Sequence, residues 1–242
     1  MKFAALIHAP FETPAGITAW IAARGHDLEL FHLYAGEPLP TADAYDALIL
    51  MGGPMNIYQY RDHPWLPAEV RFLEHALAAG TPTLGICLGA QLLADVAGAR
   101  VVQNREREIG WYSVAFTLEA RRRFPFLPPA LRVLHWHGDT FALPPGAMRL
   151  AVSEACGEQG FLLEGGRAMG LQFHIEIGPA ESQHLLDHCT EDLKIPGRCV
   201  QRPEEILALG HKYAPAAEAV LNKLLDAFFG ETFASPTFVP KA

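Results

Sequence analysis

The stretch TLGICLGAQLLA, residues 83–94, sets one cysteine, Cys87, between Gly85 and Gly89 where an apolar strand runs into a helix. Gly-x-Cys-x-Gly at a strand–helix junction has the form of a nucleophile elbow, a strained turn that lifts a side chain above the strand ends. The two glycines lack Cβ atoms, so strand and helix can approach closely. A helix beginning near Leu88 aims its first amides at the sulfur, which predicts a lowered thiol pKa. The same amides, that of Leu88 above all, suit an oxyanion. The plainer alternative is a thiol packed under a turn.

A cysteine nucleophile needs a base, and the base needs a group to orient it. The segment GLQFHIEIG, residues 170–178, offers both. His174 follows an apolar strand and stands at its end. Glu176 lies two residues on, and in extended backbone positions i and i+2 face the same side. A carboxylate there would set the imidazole tautomer and stabilise the imidazolium. Alone, the pair reads as a solvated His-x-Glu on a loop; a strand-end cysteine elsewhere in the chain changes that balance.

The third piece is LILMGGPMNIY, residues 48–58, in which an apolar strand ends in Gly52-Gly53-Pro54. Such a turn can present a backbone N–H to a neighbouring strand end, and it can equally be an ordinary strand–helix connection. Phosphate-loop patterns of the GxGxxG and GxxxxGK[ST] kinds are absent.

These residues must be positioned by alternating strands and helices. Strands are expected over Lys2–His8, Leu28–Leu33, Ala47–Met51 and Thr83–Ile86, and helices over Ile17–Arg24, Trp65–Ala79 and Gln91–Val96, the first two ending at Gly25 and Gly80. That alternation implies a parallel sheet covered on both faces. Short strands follow at Arg100–Gln103, Trp111–Phe116, Leu131–Trp136, Arg149–Val152, Gly160–Leu163 and Ala168–Phe173, either extending the sheet or forming a small antiparallel layer. Helices are expected over Ala180–Thr190 and Pro203–Phe229, the second with a break near Pro215. The terminal FASPTFVPKA, with two prolines, is expected to be extended or frayed.

The chain has 242 residues, a hydrophobic half, and a net charge of −8. The balance argues against a nucleic-acid or anionic-membrane partner, and the run Arg121–Arg123 reads as a loop or helix end. No window approaches a membrane span. Cys87, Cys156, Cys189 and Cys199 form no CxxC pair, which suits a reduced, cytoplasmic protein with neither a disulfide framework nor a zinc ribbon. His184 and His188 lie one helical turn apart beside Cys189, but lack a third ligand in register and are assigned to helix surface or packing; His135 and His137 are assigned to loop structure. No metal and no cofactor is expected.

Together the three motifs resemble the class I, triad-type glutamine amidotransferase domain. Gly52-Gly53-Pro54 resembles its oxyanion strand, GICLGAQ its elbow and His174–Glu176 its His-x-Glu pair. REIGWYSV, HWHGDTF and QGF are similar to the stand-alone GMP-synthase-like branch. The resemblance implies an α/β fold, a flavodoxin-like three-layer αβα sandwich with a mostly parallel central sheet, over residues 1–180. Residues 181–242 would be a C-terminal helical extension packing on it. It implies that Cys87 attacks the side-chain amide of glutamine, that His174 moves the proton, and that Glu176 orients His174. The amides of Gly53 and Leu88 would hold the oxyanion, with Gly52 as the alternative to Gly53. Gln91 would help hold substrate, and the His137-Gly138-Asp139 turn would clasp the amino-acid head group.

Two departures stand out. Ile175 replaces the proline usual between the histidine and the glutamate, but isoleucine also favours extended backbone. No synthetase domain follows, so ammonia would need an acceptor enzyme in trans. The same triad could serve a γ-glutamyl peptidase acting on γ-glutamyl peptides or conjugates, or stand in a catalytically silent regulatory module. A DJ-1/PfpI-type protein fits less well, because Leu88 and not histidine follows the cysteine.

Overall fold

A computed structural model describes residues 1–41, 44–163 and 165–230. The expected extended tail, FASPTFVPKA, lies outside the described residues. Strand β1 (Lys2–Ile7) is apolar on both sides, as a strand covered by helices on both faces must be. Phe3, Ala5 and Ile7 enter one core and Leu6 the other, following the two-residue period of a strand. It pairs in parallel with β2 (Asp27–His32) and β3 (Ala47–Leu50). Beyond β3 lie β4 (Thr83–Ile86) and β9 (Ala168–Leu171), also parallel.

The middle strands extend this sheet. β8 (Gly160–Leu162), β7 (Met148–Val152) and the long β5 (Val101–Phe116) follow in antiparallel order, and β6 (Ala130–Phe141) pairs along β5. The two strands expected at 100–103 and 111–116 are thus one strand of 16 residues, with a register shift between Gln103 and Glu108. The polar run NRERE hides that continuity, because its alternation is of charged groups and not of apolar against polar. β10 (Cys199–Val200) closes the far edge, and the described residues make one ten-stranded sheet.

Helices α2 (Leu66–Ala79) and α3 (Leu88–Val96) cover one face through Leu66, Leu73, Leu77, Leu92 and Leu93. Helix α2 stops at Gly80, which is left-handed at φ 73°. The other face is covered by α1 (Ala15–Ala23), α4 (Leu118–Arg123) and α7 (Pro203–Phe229). Arg121–Arg123 form the last turn of α4, whose start is capped by Thr117 accepting from the Ala120 amide at 3.0 Å. Helix α7 runs unbroken through Pro215, contrary to the expected break. Its buried row Ala214, Ala217, Leu221 and Leu225 holds both sides of the proline against the domain, which outweighs the one lost backbone bond. A third core joins Trp111 and Leu134 to Leu185 of α5 (Pro179–His188) and Ile206 of α7. Helix α6 (Thr190–Leu193) leads on from α5. Among the described residues no helix is long and apolar enough to cross a membrane.

Candidate active site

The elbow is built by close packing of strand and helix. A Cβ placed on Gly85 would lie 2.5 Å from the carbonyl oxygen of Gly89, and one on Gly89 only 2.3 Å from that of Leu50. Both obstacles are backbone, so neither position takes a side chain without moving the strand or the helix. Between them Cys87 adopts φ 50° and ψ −105°, a strained conformation for a residue with a Cβ. Its amide donates to Leu171 of the adjoining β9 at 2.8 Å, which ties the turn to the sheet. The thiol is buried and faces the Trp136 carbonyl at 3.7 Å and the Gln172 side-chain amide at 3.6 Å.

His174 follows β9, and its amide donates to Leu134 of β6 at 2.8 Å. Nδ1 stands 2.8 Å from Oε1 of Glu176, and Cys87 is close enough to the ring to raise the imidazole's pKa. Ile175, in the place between them, is buried in the core formed by α1, α7 and the sheet. It points away from the two polar side chains, as alternation in extended chain requires.

The charges in this group are coupled. Burial alone would depress the imidazolium of His174. The Glu176 carboxylate and Cys87 outweigh it, and the histidine is held well above its ordinary value. Burial pushes the Cys87 thiol up, and His174 only partly reverses this. The thiol pKa lowered by the helix start, expected from sequence, is therefore corrected: removal from water at this depth outweighs the helix amides.

A cavity of about 290 Å³ opens over the thiol. Of the residues singled out by sequence, Gly53, Cys87, Leu88, Gln91, His137, Gly138 and Asp139 line it. His174, Glu176 and Gly52 lie behind that lining. Gln91 is held by its side-chain amide, which donates to the Asp139 carbonyl at 3.3 Å and to Gln172 at 3.2 Å. Residues 137–139, expected as a turn, instead belong to β6, and they are braced by His137 Nδ1 on the Asp139 carbonyl at 3.1 Å and by Tyr58 on the Asp139 carboxylate at 2.9 Å.

Several residues of the site went unnoticed in the sequence. Glu12, in the loop after β1, is buried against the cavity, and a Cβ on Gly52 would fall 1.8 Å from its Oε2. Burial holds its carboxyl above the usual range despite the nearby His174. Arg107, paired with Asp192, and Trp136, whose indole N–H also donates to Asp192 at 3.0 Å, form another wall. No local pattern marks Glu12 or Asp192, since each acquires its place only when distant segments meet. Gln172 did carry a signal, standing two residues before His174 on the same side of the extended chain.

Behind His137 a polar network crosses β5 and β6. Among the described residues, Glu108, His135 and His137 are the set of histidine, cysteine and acidic side chains gathered closely enough to hold a metal ion. The Gln159 amide nitrogen stands 2.6 Å from Glu108 Oε2, 3.3 Å from His135 Nδ1 and 3.5 Å from His137 Nε2. A donor thus already meets these acceptors, and Ser153 donates to Glu108 at 2.8 Å. Burial drives His135 down to about 3, so its ring is neutral. His184 and His188 lie outside any such group; His188 bonds the His184 carbonyl at 2.8 Å and stacks on Phe11.

The family model described as glutamine amidotransferase class-I matches residues 16–192. The chain is 34% identical over 200 residues to the glutamine amidotransferase-like protein YfeJ of Salmonella typhimurium, covering 80% of this chain and 83% of that one. It is 39% identical over 131 residues to the glutamine-hydrolyzing GMP synthase of Thermomicrobium roseum, covering 54% of this chain but 23% of that protein. The crystal structure of a glutamine amidotransferase from Thermotoga maritima superposes with a TM-score of 0.86 at 31% identity, covering 96% of this chain and 99% of that one.

Proposed function

This chain belongs to the class-I glutamine amidotransferase family, and on that premise we propose that it hydrolyses the side-chain amide of glutamine through a γ-glutamyl thioester on Cys87. The observation that carries the reading is one convergence. A thiol on a strained elbow is electrostatically coupled to His174, His174 is paired to Glu176, and the cavity above is lined by Gly53 and Leu88.

Sγ of Cys87 attacks the amide carbon as its proton passes to His174 Nε2. Nε2 is the free ring nitrogen, because Nδ1 faces Glu176. The new imidazolium is stabilised by the Glu176 carboxylate. Negative charge gathers on the former carbonyl oxygen, where the amides of Gly53 and Leu88 donate. The tetrahedral species collapses, the C–N bond breaks, and His174 returns its proton to the departing nitrogen as ammonia. Water then attacks the thioester with His174 taking its proton, and glutamate leaves as the thiol is restored. Gln91 and the 137–139 stretch of β6 hold the amino-acid end of the substrate. Gln172 donates to the sulfur and favours charge there as it develops.

Ammonia passes in this reading to an acceptor enzyme in trans. The protein acts in the cytoplasm. The test is a panel of glutamine, γ-glutamyl peptides and glutathione, with acid quenching and mass spectrometry of the peptide bearing Cys87. A γ-glutamyl adduct with ammonia release from glutamine supports the reading. Turnover of γ-glutamyl peptides with glutamine inert would make the enzyme a γ-glutamyl peptidase. Inertness to all of them, with full cellular function in Cys87→Ala, would make it a silent module.

A further inference from the structure

Beneath the Gly52-Gly53 turn lies a buried pair that takes no direct part in the chemistry above. His8, just past β1, and Glu69, in the first turn of α2, are both almost completely buried. Nε2 of His8 stands 2.8 Å from Glu69 Oε1. Nδ1 stands 2.8 Å from the carbonyl oxygen of Met51 and 3.2 Å from that of Gly52. The ring is stacked on the Trp65 indole at 5.4 Å and 11°, so it has one orientation. Both ring nitrogens face oxygen acceptors, and each must donate. Burial opposes a charge on the ring, but Glu69 and the two carbonyls prevail and favour the imidazolium.

This fixes the Gly52–Gly53 peptide. The Gly52–Gly53 peptide is trans, so the N–H of Gly53 points opposite to the carbonyl of Gly52. The carbonyl is turned down to His8, so the N–H is turned up, on the residue that lines the cavity with Cys87 and Leu88. A peptide between two glycines has little steric preference of its own and could rotate. Rotated, it would aim a carbonyl oxygen at the place where negative charge develops. The Met51 carbonyl also accepts from the Gly89 amide at 3.2 Å, so the same anchor joins the turn to the elbow helix.

We propose that the His8–Glu69 pair is a positioning device for the oxyanion site, holding the Gly53 N–H toward the reacting carbon without touching substrate. The proposal rests on the reading of Cys87 as an acyl-forming nucleophile, and it assigns the donor to Gly53 rather than Gly52.

The test compares two reactions of the same sulfur. Acylation by glutamine forms an oxyanion. Alkylation by iodoacetamide forms an S–C bond as iodide leaves and the thiol proton goes to His174, with no oxyanion. The double variant His8→Leu/Glu69→Leu removes both charges together, which spares the fold an orphaned one. Single-turnover acylation should slow by about 10²-fold, the scale of losing one oxyanion donor, while iodoacetamide alkylation of Cys87 stays within about two-fold of wild type. Equal slowing of both reactions would mean that the pair only supports the thiol, and no slowing would mean that the turn needs no anchor; either result overturns the proposal. If the double variant does not fold, Glu69→Gln decides. Its side-chain carbonyl can still accept from Nε2 but no longer holds the charge, and it should slow acylation selectively, to a smaller degree. Wild type that alkylates but never acylates would remove the nucleophile reading itself, and this proposal with it.

Discussion

His174 Nδ1 and Glu176 Oε1 stand 2.8 Å apart with both side chains shut away from water. Glu176 is the strongest influence raising the imidazole above its ordinary value. Glu176→Gln keeps the shape and removes the charge. It should lower kcat by about 10³–10⁴-fold, as loss of an orienting carboxylate does in comparable triads. Because the charge that favoured the imidazolium is gone, the ionisation of the Cys87–His174 pair assigned to the histidine should move to lower pH. A pH–rate profile and imidazole NMR titration measure both, and an unchanged profile would argue against the pairing.

Alkylation of Cys87 by iodoacetamide should rise with pH through neutral and into alkaline solution. The reactive species is the thiolate, and burial pushes the thiol pKa up. His174 is the chief influence acting the other way, so His174→Ala should move the curve further toward alkaline pH. Rates for both proteins between pH 6 and 10 (about the range that brackets a free thiol) decide this. A plateau already reached at the acid end would contradict the raised thiol.

The backbone at Cys87, φ 50° and ψ −105°, is held there by its neighbours. Strain of this kind costs about 1–3 kcal/mol, and glycine escapes most of it. Cys87→Gly and Cys87→Ala both remove the thiol, but only glycine relaxes the turn. Even after the entropy glycine brings to the unfolded chain, Cys87→Gly should be the more stable by about 1 kcal/mol. Urea unfolding of the two inactive proteins tests it.

Glu12→Gln should stabilise the protein at neutral pH and do little near pH 4 (roughly the ordinary carboxylate value). Burial raises the folded-state pKa of Glu12, so the folded protein holds its proton more tightly than the unfolded chain. Wild-type stability from this group is then full at low pH and falls as pH rises from the unfolded value through the folded one. The amide carries no such dependence. Thermal unfolding at both pH values should show a difference between the proteins that grows with pH; a constant difference would speak against a proton on Glu12.

Much of the site was legible in the sequence because its chemistry is written locally. Gly85, Cys87 and Gly89 state a tight strand–helix junction, and His174 with Glu176 states two polar groups on one side of an extended segment. The first 100 residues likewise announce their alternation, because strands covered on both faces must be apolar and their helices must end at glycines such as Gly80. The middle was read less well. In β5 the polar run from Asn104 to Glu108 masks one continuous strand, and β6 continues beyond Trp136 through the polar residues 137–140. Those residues are polar because they serve a buried network and a cavity wall, which periodicity cannot distinguish from loop.

The sequence by itself determined the reactive residue types, their order and the parallel frame that would carry them. The tertiary structure alone decided the environment of each group. It raised the Cys87 thiol where the helix start suggested lowering, because depth outweighs a few amides. It brought Glu12 beside Gly52 from a loop 40 residues away. It also set the His8–Glu69 pair beneath the glycine turn and placed Gly53, but not Gly52, in the cavity wall with Cys87. Charge and orientation at a buried site depend on everything packed around it, and that neighbourhood is assembled from segments whose own sequences do not mention one another.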